Sequence, residues 1–288
     1  AKDLNKMSAK SGIKLLVPDE QQGTLYKWVA ILTGSKNTLK GVGFFLGGVL
    51  LMAAGFKGAV IIMAVALGLV WLASLFLLGQ DLGKSKAKPK FSEILSKSRA
   101  INVLSAARMF LFGARDVWFV VALPVYLHTV FGWDFWKVGG FMASWIIGYG
   151  FIQTIAPRIT GNMEGKQPAV LWAAALALIP AAIAIGLAAG WSPQFVIVGG
   201  LLLFGVLFAV NSSLHSYLIV SYARGDGVSL DVGFYYMSNA AGRLLGTILS
   251  GWVYQAWGLE ACLWISSGLV AMAALLSVLL PQRRPVTA

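Results

Sequence analysis

Two uninterrupted apolar stretches, residues 59–78 and 170–189, constrain this chain more than any other feature. Neither contains a charged residue, and each has the length of about 20 residues that a helix needs to cross a membrane. The whole chain agrees, because 12% of its 288 residues are charged and 58% are hydrophobic, whereas a soluble domain has about 25% charged residues. Too few charges remain to cover a water-soluble fold, and the apolar content excludes intrinsic disorder.

The apolar runs also indicate the class of membrane protein. They lack the alternation of polar and apolar residues that is typical of membrane β-barrels. The sequence therefore predicts an all-α polytopic membrane protein with eight transmembrane helices. The eight spans are predicted at 28–54, 58–78, 100–126, 136–157, 168–189, 194–220, 232–256 and 260–280.

The Lys and Arg residues indicate how the spans are oriented. Sixteen of the 23 lie in the connections on one side of the predicted bundle, and only Lys57 and Lys137 lie in those on the other side. Because basic connections stay in the cytoplasm, both ends of this chain are predicted to be cytoplasmic. Orientation thus accounts for most of the net charge of +12, and no nucleic-acid partner is needed to explain it.

Spans one and seven repeat one another at an offset of 203 residues. Lys40 falls on Arg243 and Gly55 falls on Gly258, with small residues coinciding between them. Because span one matches span seven, the matching spans are six apart. This predicts a repeat unit of six helices, arranged as in the major facilitator transporters. We therefore expect four further helices before Ala1, so that the eight spans are helices 5–12 of a twelve-helix fold.

This interpretation divides the chain into parts of two six-helix halves. Residues 1–27 form a cytoplasmic loop, 28–78 the last two helices of the N-terminal half, 79–99 the cytoplasmic central loop, 100–280 the C-terminal half and 281–288 a cytoplasmic tail. The lysine-rich central loop also suggests binding to RNA or anionic lipid. A solvated loop that obeys the orientation rule explains its charge more simply.

The pattern of spans resembles the major facilitator superfamily, and four stretches resemble, more narrowly, the organoarsenical efflux permeases of bacteria. These stretches are AKDLNKMSAKS at 1–11, LYKWVAILTGSKNTLKGVGFFLGG at 25–48, ILSKSRAINVLSAARMFLFGARDVWFVVALPVYL at 94–127 and FGWDFWKVGGFMASWIIGYGF at 131–151. The resemblance implies an efflux carrier of the antiporter type, driven by the proton gradient, that exports 1-arseno-3-phosphoglycerate and confers arsenic resistance. It also implies the inner membrane of a bacterium and a monomeric carrier.

Five cations and one carboxylate lie inside the predicted spans, where a charge costs about 2.5–3.5 kcal/mol on insertion scales. Lys36 and Lys40 share one face of their helix because they are four residues apart. Arg115 and Arg243 lie near the middle of their spans, and carriers with this repeat bind substrate near the membrane midplane. We therefore predict that these four residues line a cavity for a multiply charged oxyanion, which arginine grips in bidentate fashion and lysine attracts as a point charge.

Arg108 and Asp116 complete the set of charges inside the spans. Arg108 is a further candidate for substrate binding, although a side chain that reaches to the nearby cytoplasmic surface would explain it as well. Asp116 either neutralises one of the predicted cavity cations or carries the coupling proton. Arg115 and Asp116 point about 100° apart on a helix, so they need not pair with each other.

Four polar residues in the spans are candidates for secondary contacts with the substrate. They are Asn37, Asn211, His215 and Asn239. Asn211 and His215 lie on the same helix face because they are four residues apart, and a histidine can also respond to pH. For His215 a hydrogen bond between helices is the alternative interpretation.

Catalytic groups are scarce in this chain. One Cys and two His, with no metal-ligand spacing, leave little for redox, hydrolytic or metal chemistry. We therefore predict neither an enzyme nor a cofactor, and a membrane-embedded enzyme is the weakest alternative. Two alternatives stay open: a carrier of another organic phosphate or sugar phosphate, which needs the same cations, and a membrane sensor or scaffold that moves nothing. The predicted partners are a small anionic substrate and the lipid bilayer.

Overall fold

The computed structural model describes residues 2–18, 21–77, 98–161, 167–223 and 228–281, and within these ranges it contains helices and no strand. The helices are α1 (Lys2–Leu16), α2 (Gln22–Leu77), α3 (Arg99–Phe119), α4 (Ala122–Thr129), α5 (Phe135–Thr160), α6 (Gln167–Ala188), α7 (Pro193–Tyr222) and α8 (Val228–Val278). Most of the predicted central loop at 79–99, and all but the first residue of the predicted tail at 281–288, lie outside the described residues.

Six helical segments within the described ranges are long and apolar enough to cross a membrane. They are α2, the run 99–129 that contains α3 and α4, and then α5, α6, α7 and α8. A helix suits the bilayer because it satisfies its backbone hydrogen bonds internally. The predicted class, an all-helical membrane protein, is confirmed, whereas the number of crossings depends on α2 and α8, which are much longer than the others.

Two glycines interrupt these long helices at positions that the internal repeat relates. With 56 residues in α2 and 51 in α8, unbroken helices would be about 84 and 77 Å long. Gly55 (φ 64°, ψ 177°) and Gly258 (φ 77°, ψ −173°) leave the helical region in the same way, in a conformation that essentially only glycine adopts. The shared break supports the repeat that the sequence predicts.

The break at Gly258 reverses the direction of α8. Gly242 precedes it and Leu269 follows it, yet a Cβ atom built on Gly113 of α3 would lie 3.2 Å from the carbonyl oxygen of Gly242 and 3.9 Å from Cδ1 of Leu269. In one straight helix these two residues would be about 40 Å apart. Two antiparallel parts of α8 therefore both pack against α3, while for α2 the count of crossings stays a prediction.

The predicted span 100–126 is divided into α3 and α4 by a short break at Val120 and Val121. Pro124 explains the break, because it has no N–H to donate to the carbonyl group four residues earlier. Within the broken stretch, the N–H of Ala122 donates to the Oγ of Ser250 on α8, at 3.1 Å. Despite this break, residues 99–129 form one candidate membrane span, as the sequence predicts.

Residues 1–27 differ from the predicted loop, because α1 occupies most of the stretch and α2 begins at Gln22. Lys10 is buried, and its Nζ lies 5.7 Å from the ring centroid of Tyr235 and 5.2 Å from that of Tyr236. The Oγ atoms of Ser11 and Ser229 are 3.2 Å apart. Contacts with α8 thus stabilise a helix where the polar composition of the stretch indicates a loop.

Two apolar clusters fill the bundle. The first joins α3, α5, α6, α7 and the later part of α8 around Trp118, Phe204 and Phe208. The second lies toward α1 and joins the start of α2 to α3, α7 and the start of α8, with Tyr26 and Tyr235 among its buried residues. The end of the bundle that contains this second cluster is called the α1 face below, and the end beside Gly55 is called the Gly55 face.

The contact between α3 and α8 depends on glycines that let the two backbones approach. A Cβ atom on Gly246 would lie 2.6 Å from the carbonyl oxygen of Gly113 and 3.1 Å from Cβ of Asp116. One turn earlier, a Cβ atom on Gly242 would overlap the carbonyl group of Met109. Side chains at these two positions would force α8 away from α3.

We expect Gly246→Ala to destabilise the detergent-purified protein by about 1–3 kcal/mol, because the added methyl group overlaps the backbone of α3. Gly43→Ala at the repeat-related position is the matched control, since a Cβ atom there meets nothing within 4 Å. Unfolding followed by tryptophan fluorescence measures both variants. Equal shifts of the unfolding temperature in the two would contradict this account of the contact.

Candidate functional site

A cavity of about 860 Å³ lies between α2, α3, α5 and α8. Met52, Pro124 and Trp136 line it near the Gly55 face, and Asn37 and Tyr149 line it at the opposite, deeper end. Its volume suits a small organic molecule, since ligand pockets in proteins measure about 300–1,000 Å³.

Three of the four predicted cavity cations line this cavity. Lys40 comes from α2, Arg115 from α3 and Arg243 from α8, so three distant parts of the sequence contribute one cation each. Asn37, predicted as a secondary contact, also lines it. Lys36, one turn from Lys40 on α2, is not among the residues that line it.

Close packing of α2 on α5 closes the cavity toward the α1 face. A Cβ atom on Gly34 would lie 2.5 Å from the carbonyl oxygen of Gly150, so the two helix backbones touch at this crossing. Tyr26 and Tyr217 stack beyond it, with ring centroids 4.7 Å apart. At the other end the cavity reaches the surface, where the lining residue Trp136 is 74% exposed.

Asp116 binds two of the cavity cations, although it does not itself line the cavity. Its Oδ1 accepts a hydrogen bond from Nε of Arg115 at 2.6 Å and lies 2.5 Å from Nη2 of the same residue. Its Oδ2 accepts from Nε of Arg243 at 2.9 Å. The carboxylate is fully buried, while the side chains of Arg115 and Arg243 are 13% and 47% exposed. Arg115 and Asp116 therefore pair although they are adjacent on α3, and Arg243 from α8 binds the other oxygen of the carboxylate.

The charges leave the cavity positive. Three cations line it, and the described lining residues include no carboxylate. Asp116 takes the Nε of Arg243, so the two Nη groups of that guanidinium are not used by the ion pair. A low-dielectric cleft with one sign of charge concentrates ions of the opposite sign, and this arrangement therefore favours an anion.

Aromatic rings form one wall of the cavity. Phe119 lies 4.4 Å from Trp145, and Trp145 stacks on Tyr149 at 5.5 Å between centroids. The indole Nε1 of Trp145 donates to the carbonyl oxygen of Leu201 at 3.0 Å, which fixes the ring. This wall was not predicted from the sequence, although Trp145, Tyr149 and Gln153 lie four residues apart and therefore on one face of α5.

A chain of side-chain hydrogen bonds crosses the deep end of the cavity. Nδ2 of Asn37 donates to Oε1 of Gln153 at 2.5 Å, and Nε2 of Gln153 donates to the hydroxyl of Tyr149 at 2.8 Å. Ser213 of α7 donates to the carbonyl oxygen of Gln153 at 3.2 Å. These bonds connect α2, α5 and α7 at the point where the cavity ends.

Arg108 lies outside the cavity and does not reach the surface. Its side chain is buried, with Nε donating to Oδ1 of Asn239 at 3.1 Å. Its Nη1 donates to the carbonyl oxygen and to the Oγ of Ser212, both at 3.2 Å. The interpretation in which Arg108 extends to the cytoplasmic surface is therefore wrong, and Asn239 contacts Arg108 instead of the cavity.

Asn211 and His215 also lie away from the cavity. Nδ2 of Asn211 donates to the carbonyl oxygens of Trp172 at 2.8 Å and of Leu207 at 2.9 Å, so the amide joins α7 to α6. His215 is fully buried, and both of its ring nitrogens lack a hydrogen-bond partner in the described part of the chain. The hydrogen bond between helices that was the alternative for His215 is not formed. No cluster of three or more His, Cys, Asp or Glu that could hold a metal occurs in the described ranges.

Comparison with known proteins identifies a family and a similar fold. Residues 12–230 match the family described as the Major Facilitator Superfamily. The crystal structure of the human organic anion transporter MFSD10 (TETRAN) is similar with a TM-score of 0.70 and 19% sequence identity, over 94% of this chain and 67% of that one. At this identity the similarity shows the fold alone. No curated protein sequence matches the chain.

We expect Asp116→Asn to destabilise the purified protein by about 3 kcal/mol, because it leaves two arginines without their counter-charge. Combined with Arg243→Gln it should cost less than the sum of the two single variants, by about 1 kcal/mol or more, since the residues are in direct contact. Unfolding free energies in denaturant give this double-mutant cycle.

Asp134→Asn provides the matched control for this cycle. Asp134 is exposed and accepts a hydrogen bond from the backbone N–H of Lys137 at the start of α5, and asparagine caps a helix about as well as aspartate. If the effects of Asp116→Asn and Arg243→Gln are additive, the interaction between the two side chains contributes nothing to stability.

Proposed function

The chain belongs to the major facilitator superfamily, and from this premise we propose that it carries a small organic anion across the membrane. The observation that carries the proposal is the convergence of Lys40, Arg115 and Arg243 on one cavity. A charge inside a membrane bundle is costly and marks a substrate or ion pathway. Three cations from three helices around one space are difficult to explain without an anionic occupant.

The geometry around Asp116 supports an oxyanion as the occupant. The carboxylate holds Arg115 and Arg243 on one side of the cavity, which orients the guanidinium groups before the substrate arrives. Arginine grips phosphate or arsenate oxygens with paired N–H groups, and Lys40 adds a point charge from α2. In this proposal Asp116 is the counter-charge that positions the two arginines.

We propose an arsenylated phosphoglycerate as the substrate and export as the direction of transport. The support for this is the resemblance of four sequence stretches to the bacterial organoarsenical efflux permeases, together with a cavity of about 860 Å³ that suits a small phosphorylated acid. Proton-driven antiport and arsenic resistance rest on the same resemblance. Another organic phosphate or sugar phosphate is the second candidate, because the same three cations would bind it.

The proposed orientation places the α1 face in the cytoplasm and the Gly55 face outside, with eight crossings in all. The distribution of basic residues supports it, and so does the break at Gly55 that matches the one at Gly258. The cavity would then open to the outside in this conformation. Rocking of one six-helix half against the other would open it to the cytoplasm.

We expect Lys40→Ala and Arg243→Ala each to lower uptake of the arsenylated acid into everted vesicles by about ten-fold or more, because each removes a charged contact of the kind worth about 1.5–3 kcal/mol. Lys137→Ala is the matched control. That lysine is exposed and lies over the ring of Trp133, with Nζ 4.5 Å from its centroid, and it does not line the cavity.

Three outcomes would contradict the proposed function. Full flux in both cavity variants at normal expression would show that the cavity does not bind the substrate. Binding of the anion without flux in wild-type vesicles would favour a sensor or scaffold. Flux of a sugar phosphate, with no protection of cells that make the arsenylated acid, would favour the second candidate substrate.

The orientation has its own test. We expect a cysteine at Thr129, beside the Gly55 face, to react with an impermeant maleimide added to intact cells, and a cysteine at Gln21, between α1 and α2, to react only in everted vesicles. Both positions are exposed, and the native Cys262 is buried. The reverse pattern would invert the proposed topology.

A further inference from the structure

Cations and aromatic rings alternate along a line that leads from the α1 face to the cavity. Nζ of Lys10 lies 5.7 Å from the ring centroid of Tyr235, and Cζ of Arg108 lies 5.0 Å from the same ring on α8. Cζ of Arg108 is also 3.9 Å from the ring of Phe112, and Cζ of Arg115 is 4.9 Å from that ring. We call these five residues the cation–aromatic ladder.

Arg108 is the central cation of the ladder, and its environment is unusual for a buried charge. Its hydrogen bonds end on the neutral oxygens of Asn239 and Ser212. Among the described residues no carboxylate pairs with it, in contrast to Arg115, which has Asp116. A buried cation without a counter-charge is costly, so an anion at this position would be strongly stabilised.

Polar groups without partners stand around the same arginine. Both ring nitrogens of His215 are buried and have no hydrogen-bond partner in the described part of the chain. The buried hydroxyls of Tyr235 and Ser216 lie next to each other and have no other partner there. Ser216 lies one turn from Ser212 on α7, and His215 is close enough to Arg108 to interact with its charge. The two hydroxyls and one ring nitrogen of a neutral histidine can each donate a hydrogen bond, and donors are what an oxyanion requires.

From this arrangement we propose a second anion site, formed by Arg108, Tyr235, His215 and Ser216. The site binds the phosphate or arsenate group of the substrate on its way between the α1 face and the cavity. It rests on the proposed function, since it assumes an anion that passes through the bundle. The site is closed in this conformation, and its donors turn to the anion when the α1 face opens.

Phe112 separates the two anion sites. Its ring lies between the guanidinium groups of Arg108 and Arg115 and packs on Phe208, with centroids 5.1 Å apart. A cation above an aromatic face is attracted to the ring, so both arginines are held against the same partition. An anion that displaces the ring would exchange one arginine for the next without leaving a positive environment.

The test measures access of charged reagents to Ser216→Cys in the full-length protein, with the buried native Cys262 replaced by Ala. Everted vesicles receive an anionic or a cationic methanethiosulfonate from the α1 face. We expect the anionic reagent to react about ten-fold faster, since a positive cleft concentrates anions by that order or more. Adding Arg108→Gln should abolish the preference for the anionic reagent. In the Ser216→Cys protein with Arg108 intact, 3-phosphoglycerate should slow the reaction.

Ser266→Cys is the matched control. Ser266 is equally buried and contacts α3 through a hydrogen bond to the carbonyl oxygen of Ala114 at 2.7 Å, but it is not part of the proposed second site. We expect it to be unreactive in vesicles. Both thiols should react after denaturation in detergent, which establishes that each cysteine is present.

The outcomes separate this proposal from the proposed function. If the vesicles transport the arsenylated acid and Ser216→Cys stays unreactive, or reacts equally with both reagents, the second site is wrong and the carrier function stands. If Ser216→Cys shows the anion preference and its loss in Arg108→Gln while no arsenylated acid is transported, the site stands and the substrate assignment fails. Reaction of Ser266→Cys at the same rate would contradict a defined pathway.

Discussion

A buried carboxylate between two arginines is the interaction on which this bundle depends. Asp116 is fully buried in the interior of an apolar bundle, where an isolated charge would be very unfavourable. It is stable there because Arg115 and Arg243 bind its two oxygens. That contact in turn requires α8 to lie against α3, which the missing side chains at Gly242 and Gly246 permit. The two glycines thus determine where Asp116 of α3 and Arg243 of α8 can meet.

The two arginines on α3 are stabilised in different ways, and the difference bears on function. Arg115 is bound by Asp116 and lines the cavity, so its position is set before any ligand arrives. Arg108 has neutral hydrogen-bond partners, and the ring nitrogens of His215 near it have no hydrogen-bond partner in the described part of the chain. Phe112 lies between them. One helix therefore carries an arginine that a carboxylate holds in place and, beyond a single ring, an arginine that no carboxylate among the described residues binds.

Several features could be predicted from the sequence because they depend on local composition. The apolar runs determine that the chain forms membrane helices, and the repeat of Lys40 with Arg243 and of Gly55 with Gly258 follows from position alone. Other features depended on partners that are distant in sequence. The burial of Lys10 in α1 needs the rings of α8, and the close crossing of α2 and α5 needs glycines on both helices, Gly34 and Gly150.

By itself the sequence determined the class of protein, the positions of most helices and the small set of charges inside them, because hydrophobicity and charge act residue by residue. Only the tertiary structure decided which charges meet. Helical periodicity states which face a residue occupies, but not which helix that face contacts. Close packing of α2, α3, α5 and α8 pairs Asp116 with both arginines. It also places Arg243 in the cavity and keeps Arg108 out of it. This packing is decided by steric fit between residues that are far apart in the chain.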